Sequence, residues 1–185
     1  MTRLIRYNSP VILSYFFIAL AVCVLGYLTG GKSTLYLFSV YKTSPFDPMQ
    51  YVRVFTHVLG HANFNHFINN FLLILILGPM LEEKYGSKSI LYMIIITAFV
   101  TGLMNIILFP TTILTGASGV VFMLILLSSF ANFQAGSIPL IFILVLVIYL
   151  GQEVYSGLFS KDNISHMAHI AGGLCGAVFG FIRKR

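Results

Sequence analysis

No tryptophan occurs anywhere in the chain, only five of its 185 residues are acidic, and cysteine appears twice. Each scarcity excludes something. Without tryptophan, an aromatic belt at a membrane surface must be built from tyrosine and phenylalanine. Cys23 and Cys175 each lie inside an apolar run, which argues against a disulfide framework and offers no metal-binding spacing. Charged residues make up 9% of the chain, against roughly 25% in a soluble globular domain, so a soluble fold is excluded. No polar stretch is long enough for a second domain, and residues 1–185 read as one.

What fills the chain is apolar sequence, at 58% of residues. The formal charge of +6 would suit nucleic acid only if the 11 basic residues shared a face. They sit singly or in short groups at the ends of apolar runs, which is the pattern of membrane topology signals.

Residues 10–28 are almost continuously apolar and of membrane-spanning length, ended by Thr29-Gly30-Gly31-Lys32. The run is long for a signal-peptide core and no small-x-small cleavage site follows, so a retained helix is expected. Residues 32–60 mix Lys32, Lys42, Asp47 and Arg53 with Leu35-Tyr36-Leu37-Phe38 and Pro45-Phe46-Asp47-Pro48, as an interfacial loop would. Further helices are expected over residues 63–81, 88–109, 117–131, 138–154 and 165–181. The fourth covers roughly 22 Å of a hydrocarbon core about 30 Å thick, so its first residues lie recessed inside the protein.

The expectation is therefore an all-α integral membrane bundle of six spans. Both termini then share a side with Arg3, Arg6, Lys84, Lys88 and Arg183-Lys184-Arg185. Lys32, Lys42, Arg53 and Lys161 fall on the other side, so the richer first side is read as cytoplasmic. Glu153, near the outer end of the fifth helix, has no assigned role.

Helices two, four and six all enter from the outer side. Their first turns carry His66 and Asn70, Ser118, and His169 respectively, at nearly one depth. The i, i+4 spacing puts His66 and Asn70 on one helix face. Ser118 lies within Gly116-Ala117-Ser118-Gly119, and His169 is followed by Gly172, Gly176 and Gly180 on one strip. Small residues on both helices allow near-backbone contact, which would bring Ser118 within reach of His169.

That pairing permits nucleophilic catalysis, since a serine hydroxyl needs an adjacent base to become reactive. No Asp or Glu lies at the right depth, so a Ser118–His169 dyad is expected, with Phe122 stacking on His169. The Ser118 backbone N–H, His66 and Asn70 would serve as oxyanion donors.

Three other readings remain beside this one. His57, His61 and His66 are closely spaced as metal ligands are, but His-Glu-x-x-His is absent. A transporter would line both halves of the bilayer with polar groups, and only Asn105 is assigned to the cytoplasmic half. The third is a client-binding protein that does not cut.

Together these residues resemble the rhomboid family of intramembrane serine proteases. Gly116-Ala117-Ser118-Gly119 is similar to its nucleophile motif, and Ala168-His169-Ile170-Ala171-Gly172, with Gly176, to its base motif. His57, His61, His66 and Asn70 match the spaced polar residues of its second helix. Gly78-Pro79-Met80-Leu81-Glu82 with Gly86-Ser87 matches the turn that follows.

The similarity covers about residues 45–182 and the basic six-helix bacterial form. It implies a short, recessed fourth helix and a bacterial plasma membrane, with the active site opening outward. By the resemblance Ser118 is the nucleophile, His169 the base, and His66 and Asn70 the oxyanion partners. The clients are transmembrane proteins in a lipid bilayer, with no cofactor, metal or nucleic acid implied. The chain departs in two places: the family's usual Trp-Arg pair is Val52-Arg53, and Phe122 stands where some members have Tyr.

Overall fold

The computed structural model describes residues 7–130, 140–145, 147–148, 151 and 163–182. The described chain is helical: α1 Pro10–Leu28, α2 Lys32–Leu37, α3 Pro48–Thr56, α4 Phe64–Tyr85, α5 Ser87–Leu108, α6 Ser118–Ser128, α7 Leu140–Val145 and α8 Asn163–Ile182. No strand occurs among the described residues. One isolated antiparallel bridge joins Val40 to Leu114.

Because lipid and core are both apolar, hydrophobicity does not separate the packed face of a span from its outer face. In α1 the buried residues are Ile12, Tyr15, Ala19, Val22 and Gly26, a three-four repeat along one stripe. The remaining faces, with Phe17, Ile18 and Val24, are equally apolar and exposed. By contrast α6 is buried nearly all round, from Gly119 through Leu127, as befits the central helix. It packs on α8 above all, and also on α4 and α5.

The first helix has its expected bounds, and the third begins one residue early. The other changes have physical causes. The fourth helix stops at Ser128 rather than near 131: the Ser128 and Ser129 hydroxyls donate back to the Ile125 and Leu126 carbonyls, and the Phe130 N–H turns in to Leu127. Its 11 residues then cover only about 16 Å, shorter than expected.

The second helix continues through Pro79 to Tyr85 and ends at Gly86, whose φ is +84°. That extension carries Glu82 into the interior. Its two carboxylate oxygens accept from the Val11 and Ile12 N–H groups at 3.0 and 2.9 Å, capping α1 with an anion.

Helices α1, α4 and α5 are long and apolar enough to cross a membrane, while α6 and residues 166–182 of α8 are shorter apolar helices. Of the expected fifth span, α7 and residues 147, 148 and 151 are described. The turn at 132–137, Gln152, Glu153, Lys161, Arg3, Arg6 and Arg183 to Arg185 lie outside the described residues.

The interfacial loop contains α2 and α3 and is knit around Arg53. This buried guanidinium pairs with Asp47 at 2.8 Å, donates to the Thr43 hydroxyl at 3.2 Å, and lies 4.3 Å above the Tyr41 ring. Hydrogen bonds from Thr43, Met49 and Arg53 hold the Asp47 carboxyl below the usual carboxylate range, against the opposing effect of burial. Val52, in place of the aromatic expected there, is exposed and carries none of this network.

Candidate active site

The site is assembled by helices that touch through glycine. A Cβ on Gly172 would fall on the Gly119 carbonyl, one on Gly176 on the Met123 carbonyl, and one on Gly180 against the Phe130 ring. Gly172 and Gly176 thus meet the α6 backbone with no side chain between, the contact expected from the glycine strip, while Gly180 meets a side chain just beyond the end of α6. One turn before Gly172, the His169 ring stacks on Phe122 with centroids 4.4 Å apart and planes 5° from parallel. A Cβ on Gly119 would stand 3.4 Å from the Ala168 carbonyl.

Ser118 is half-buried at the first position of α6. Its neighbours Gly119 and Phe122 therefore touch the neighbours of His169 and its ring. The Ser118 hydroxyl makes no hydrogen bond of its own among the described residues.

From the other side, α4 brings His66 and Asn70 over Gly116. A Cβ at Gly116 would lie 2.7 Å from His66 Cε1, 2.9 Å from its Nε2 and 3.8 Å from Asn70 Nδ2. Gly116 also has φ +130°, a region that favours glycine, so both backbone and neighbours require it there. The Asn63 side chain caps α4 by accepting from the His66 N–H at 2.8 Å, which fixes this first turn. Asn70 is buried, and its Nδ2 donor finds no acceptor among the described residues. His66 and His169 are close enough to interact electrostatically.

The Rhomboid domain family model matches residues 48–185. The chain belongs to the rhomboid family. It is 27% identical over 172 residues to rhomboid protease GlpG of Haemophilus influenzae, covering 89% of this chain and 88% of that protein. It is 30% identical over 142 residues to rhomboid-related protein 1 of Caenorhabditis elegans, covering 70% of this chain but 39% of the relative. With rhomboid protease GluP of Bacillus subtilis it shares 29% identity over 182 residues, 93% of this chain and 34% of the relative. Rhomboid membership, together with the apolar helices, makes this a multi-pass integral membrane protein.

In this rhomboid, the segment before Ser118 is held by residues whose roles were not foreseen. The His57 carbonyl accepts from the Gly116 N–H at 3.0 Å, and His61 Nε2 accepts from the Ala117 N–H at 3.4 Å. Each imidazole turns Nδ1 to a carbonyl, Val54 at 3.0 Å and Leu59 at 3.3 Å. A carbonyl only accepts, so the proton sits on Nδ1 and Nε2 is left as acceptor. Burial pushes His57 down to about 4, and burial with the nearby His66 charge does the same to His61, which keeps both neutral. Groups of three or more His, Cys, Asp or Glu able to hold a metal are absent among the described residues.

Asn105 requires a correction. It was assigned to the cytoplasmic half, but α5 runs toward the Ser118 end. Asn105 Nδ2 there donates to the Val40 and Thr112 carbonyls at 3.2 and 3.3 Å, tying the interfacial loop to the segment that leads into Ser118. Thr115 adds a bond to the Phe38 carbonyl at 2.8 Å. The described carboxylates are occupied or distant: Asp47 in the loop network and Glu82 on α1, with Glu83 beside it.

Proposed function

We propose that this chain is an active serine-type intramembrane endopeptidase that cuts membrane-protein clients in or near their transmembrane segments. The observation that carries the reading is the registration of His169 on Phe122 and of Gly172 on Gly119, which sets the imidazole beside the Ser118 turn. Ser118 Oγ attacks the client carbonyl while His169 takes its proton. The oxyanion is met by the Ser118 N–H, free as a first-turn donor, and by His66 and Asn70. His169 returns the proton to the departing amine, and water then releases the acyl group by the same steps reversed.

This reading uses a Ser–His dyad and invokes no cofactor. Six spans, cytoplasmic termini and an outward-facing site belong to the same proposal, as does an origin in a bacterial plasma membrane. The experiment is labelling by a fluorophosphonate probe together with cleavage of a single-span client in liposomes. Parent protein is expected to label and cut, while Ser118→Ala and His169→Ala do neither and keep the parent's thermal unfolding midpoint. Cutting by purified Ser118→Ala would overturn the mechanism. A parent that binds the client, yet neither labels nor cuts, would favour the non-cutting relative.

A further inference from the structure

A cavity of about 970 Å³ lies between the start of α4, the C-terminal end of α1, the Gly30–Gly31 turn and α2, with His61 among its lining residues. Its volume is in the range of ligand sites, and its walls combine Val24, Tyr27, Leu35 and Phe64 with Ser39 and Asn63. Those four apolar residues are exposed. Val24, Tyr27 and Phe64 lie at the ends of α1 and α4, two helices long and apolar enough to cross a membrane, and Leu35 lies on the interfacial α2. Apolar groups exposed at that level suit an occupant drawn from the bilayer.

One charged group adjoins it. Lys32 follows Gly31 directly, is exposed, and takes part in no ion pair among the described residues. A cation beside an apolar cavity at a helix end complements an amphipathic anion, with the chain inside and the phosphate at the ammonium.

We propose that this cavity binds an acyl chain of a bilayer phospholipid whose phosphate pairs with Lys32. The occupant rests against Asn63, whose side chain caps the helix that carries His66 and Asn70. The site thus gives lipid a place to steady the first turn of α4, and His61, which accepts from the Ala117 N–H, forms part of its wall.

The lack of tryptophan makes this directly measurable. Phe64→Trp places a single indole on the cavity wall, and Ile107→Trp places one on an exposed position of α5 as a control. Full-length protein in detergent micelles is titrated with phosphatidylglycerol carrying dibrominated acyl chains, which quench indole on contact.

The expected result is a saturating loss of about half the Phe64→Trp emission at a few lipids per protein, as mass action on one site requires, with no saturating loss for Ile107→Trp. Lys32→Gln should raise the lipid ratio at half-saturation several-fold. Filling the cavity by Ala62→Phe or by Val24→Phe should abolish the saturating phase, and an unchanged thermal unfolding midpoint shows that these variants fold. Quenching should be unchanged in a Ser118→Ala background, which separates this proposal from the catalytic one.

Parallel, non-saturating quenching of both indoles would overturn the proposal, as would saturation indifferent to both filling variants. Protection of Phe64→Trp from aqueous quencher by a transmembrane client peptide, and by no lipid, would equally overturn it.

Discussion

Replacing Gly172 by alanine tests the central contact most directly. The added Cβ would overlap the Gly119 carbonyl oxygen and stand 2.7 Å from its carbon and 2.9 Å from the Gly119 Cα. All three are backbone atoms of α6, so none can swing aside, and α8 must move away. Overpacking of this kind costs about 1–3 kcal/mol of stability. The functional cost is larger, because His169 lies one turn away on the displaced helix. A misplacement of about 1 Å at reacting groups lowers rate on the order of 10²-fold.

Gly176→Ala meets the Met123 backbone in the same manner, two turns from His169. Gly180→Ala meets the Phe130 ring, a side chain rather than helix backbone, at the opposite end of α6 and three turns from His169. Client cleavage in liposomes, read beside thermal unfolding, should therefore fall steeply for Gly172→Ala, less for Gly176→Ala and little for Gly180→Ala. If Gly172→Ala cut its client at the parent rate while losing stability, the α6–α8 contact would not be what aligns His169, and the reasoning would fail.

Glu82→Ala removes the carboxylate that caps α1 and should lower stability by about 1–3 kcal/mol while leaving the cleavage rate per folded molecule unchanged, as unfolding and kinetics on one sample will show. Asn105→Ala removes one donor each from the Val40 carbonyl, which keeps its bond from the Leu114 N–H, and from the half-buried Thr112 carbonyl; it should cost about 1 kcal/mol and, unlike Glu82→Ala, lower kcat as well.

Acid should also weaken the fold. Burial holds His57 near about 4 against an unfolded value of 6.5, so the unfolded chain binds more protons between them. The stabilisation is complete above the unfolded value and is lost as pH falls through the window, by up to about 3 kcal/mol for His57. Unfolding midpoints measured above and within the window should show this fall, and His57→Gln should lessen it, leaving the part due to His61.

The spans and the polar cluster were legible because they depend on composition and spacing within single helices. Pro10–Leu28 was bounded by a proline at its start and glycines just beyond its end, the local signals that stop a helix. Gly172, Gly176 and Gly180 announced a helix contact because glycine at one-turn intervals has no other obvious use in a span. The boundaries that moved depended on tertiary partners. Nothing local marks Glu82 as interior, since its two donors are the backbone of α1. A carboxylate read from sequence looks like the polar end of a span. Only the fold makes it a cap.

The same reasoning explains why His57, His61 and Asn105 were noticed but given no task. Most polar partners that tie them to the Ser118 segment are backbone atoms: the N–H groups of Gly116 and Ala117 and the carbonyls of Val40 and Thr112. Backbone groups are present at every residue, so a sequence cannot say which of them a buried side chain will serve. Yet residues 109–117 have no helix to hold them, and they carry the turn into Ser118. Their shape is set instead by the Val40–Leu114 bridge, Thr115 on Phe38, and the two histidines. Two of these ties, the Val40 bridge and Thr115 on Phe38, begin in the interfacial loop, and Arg53 knits that loop together. The loop therefore bears on the Ser118 turn through main-chain contacts, without lending it a catalytic side chain.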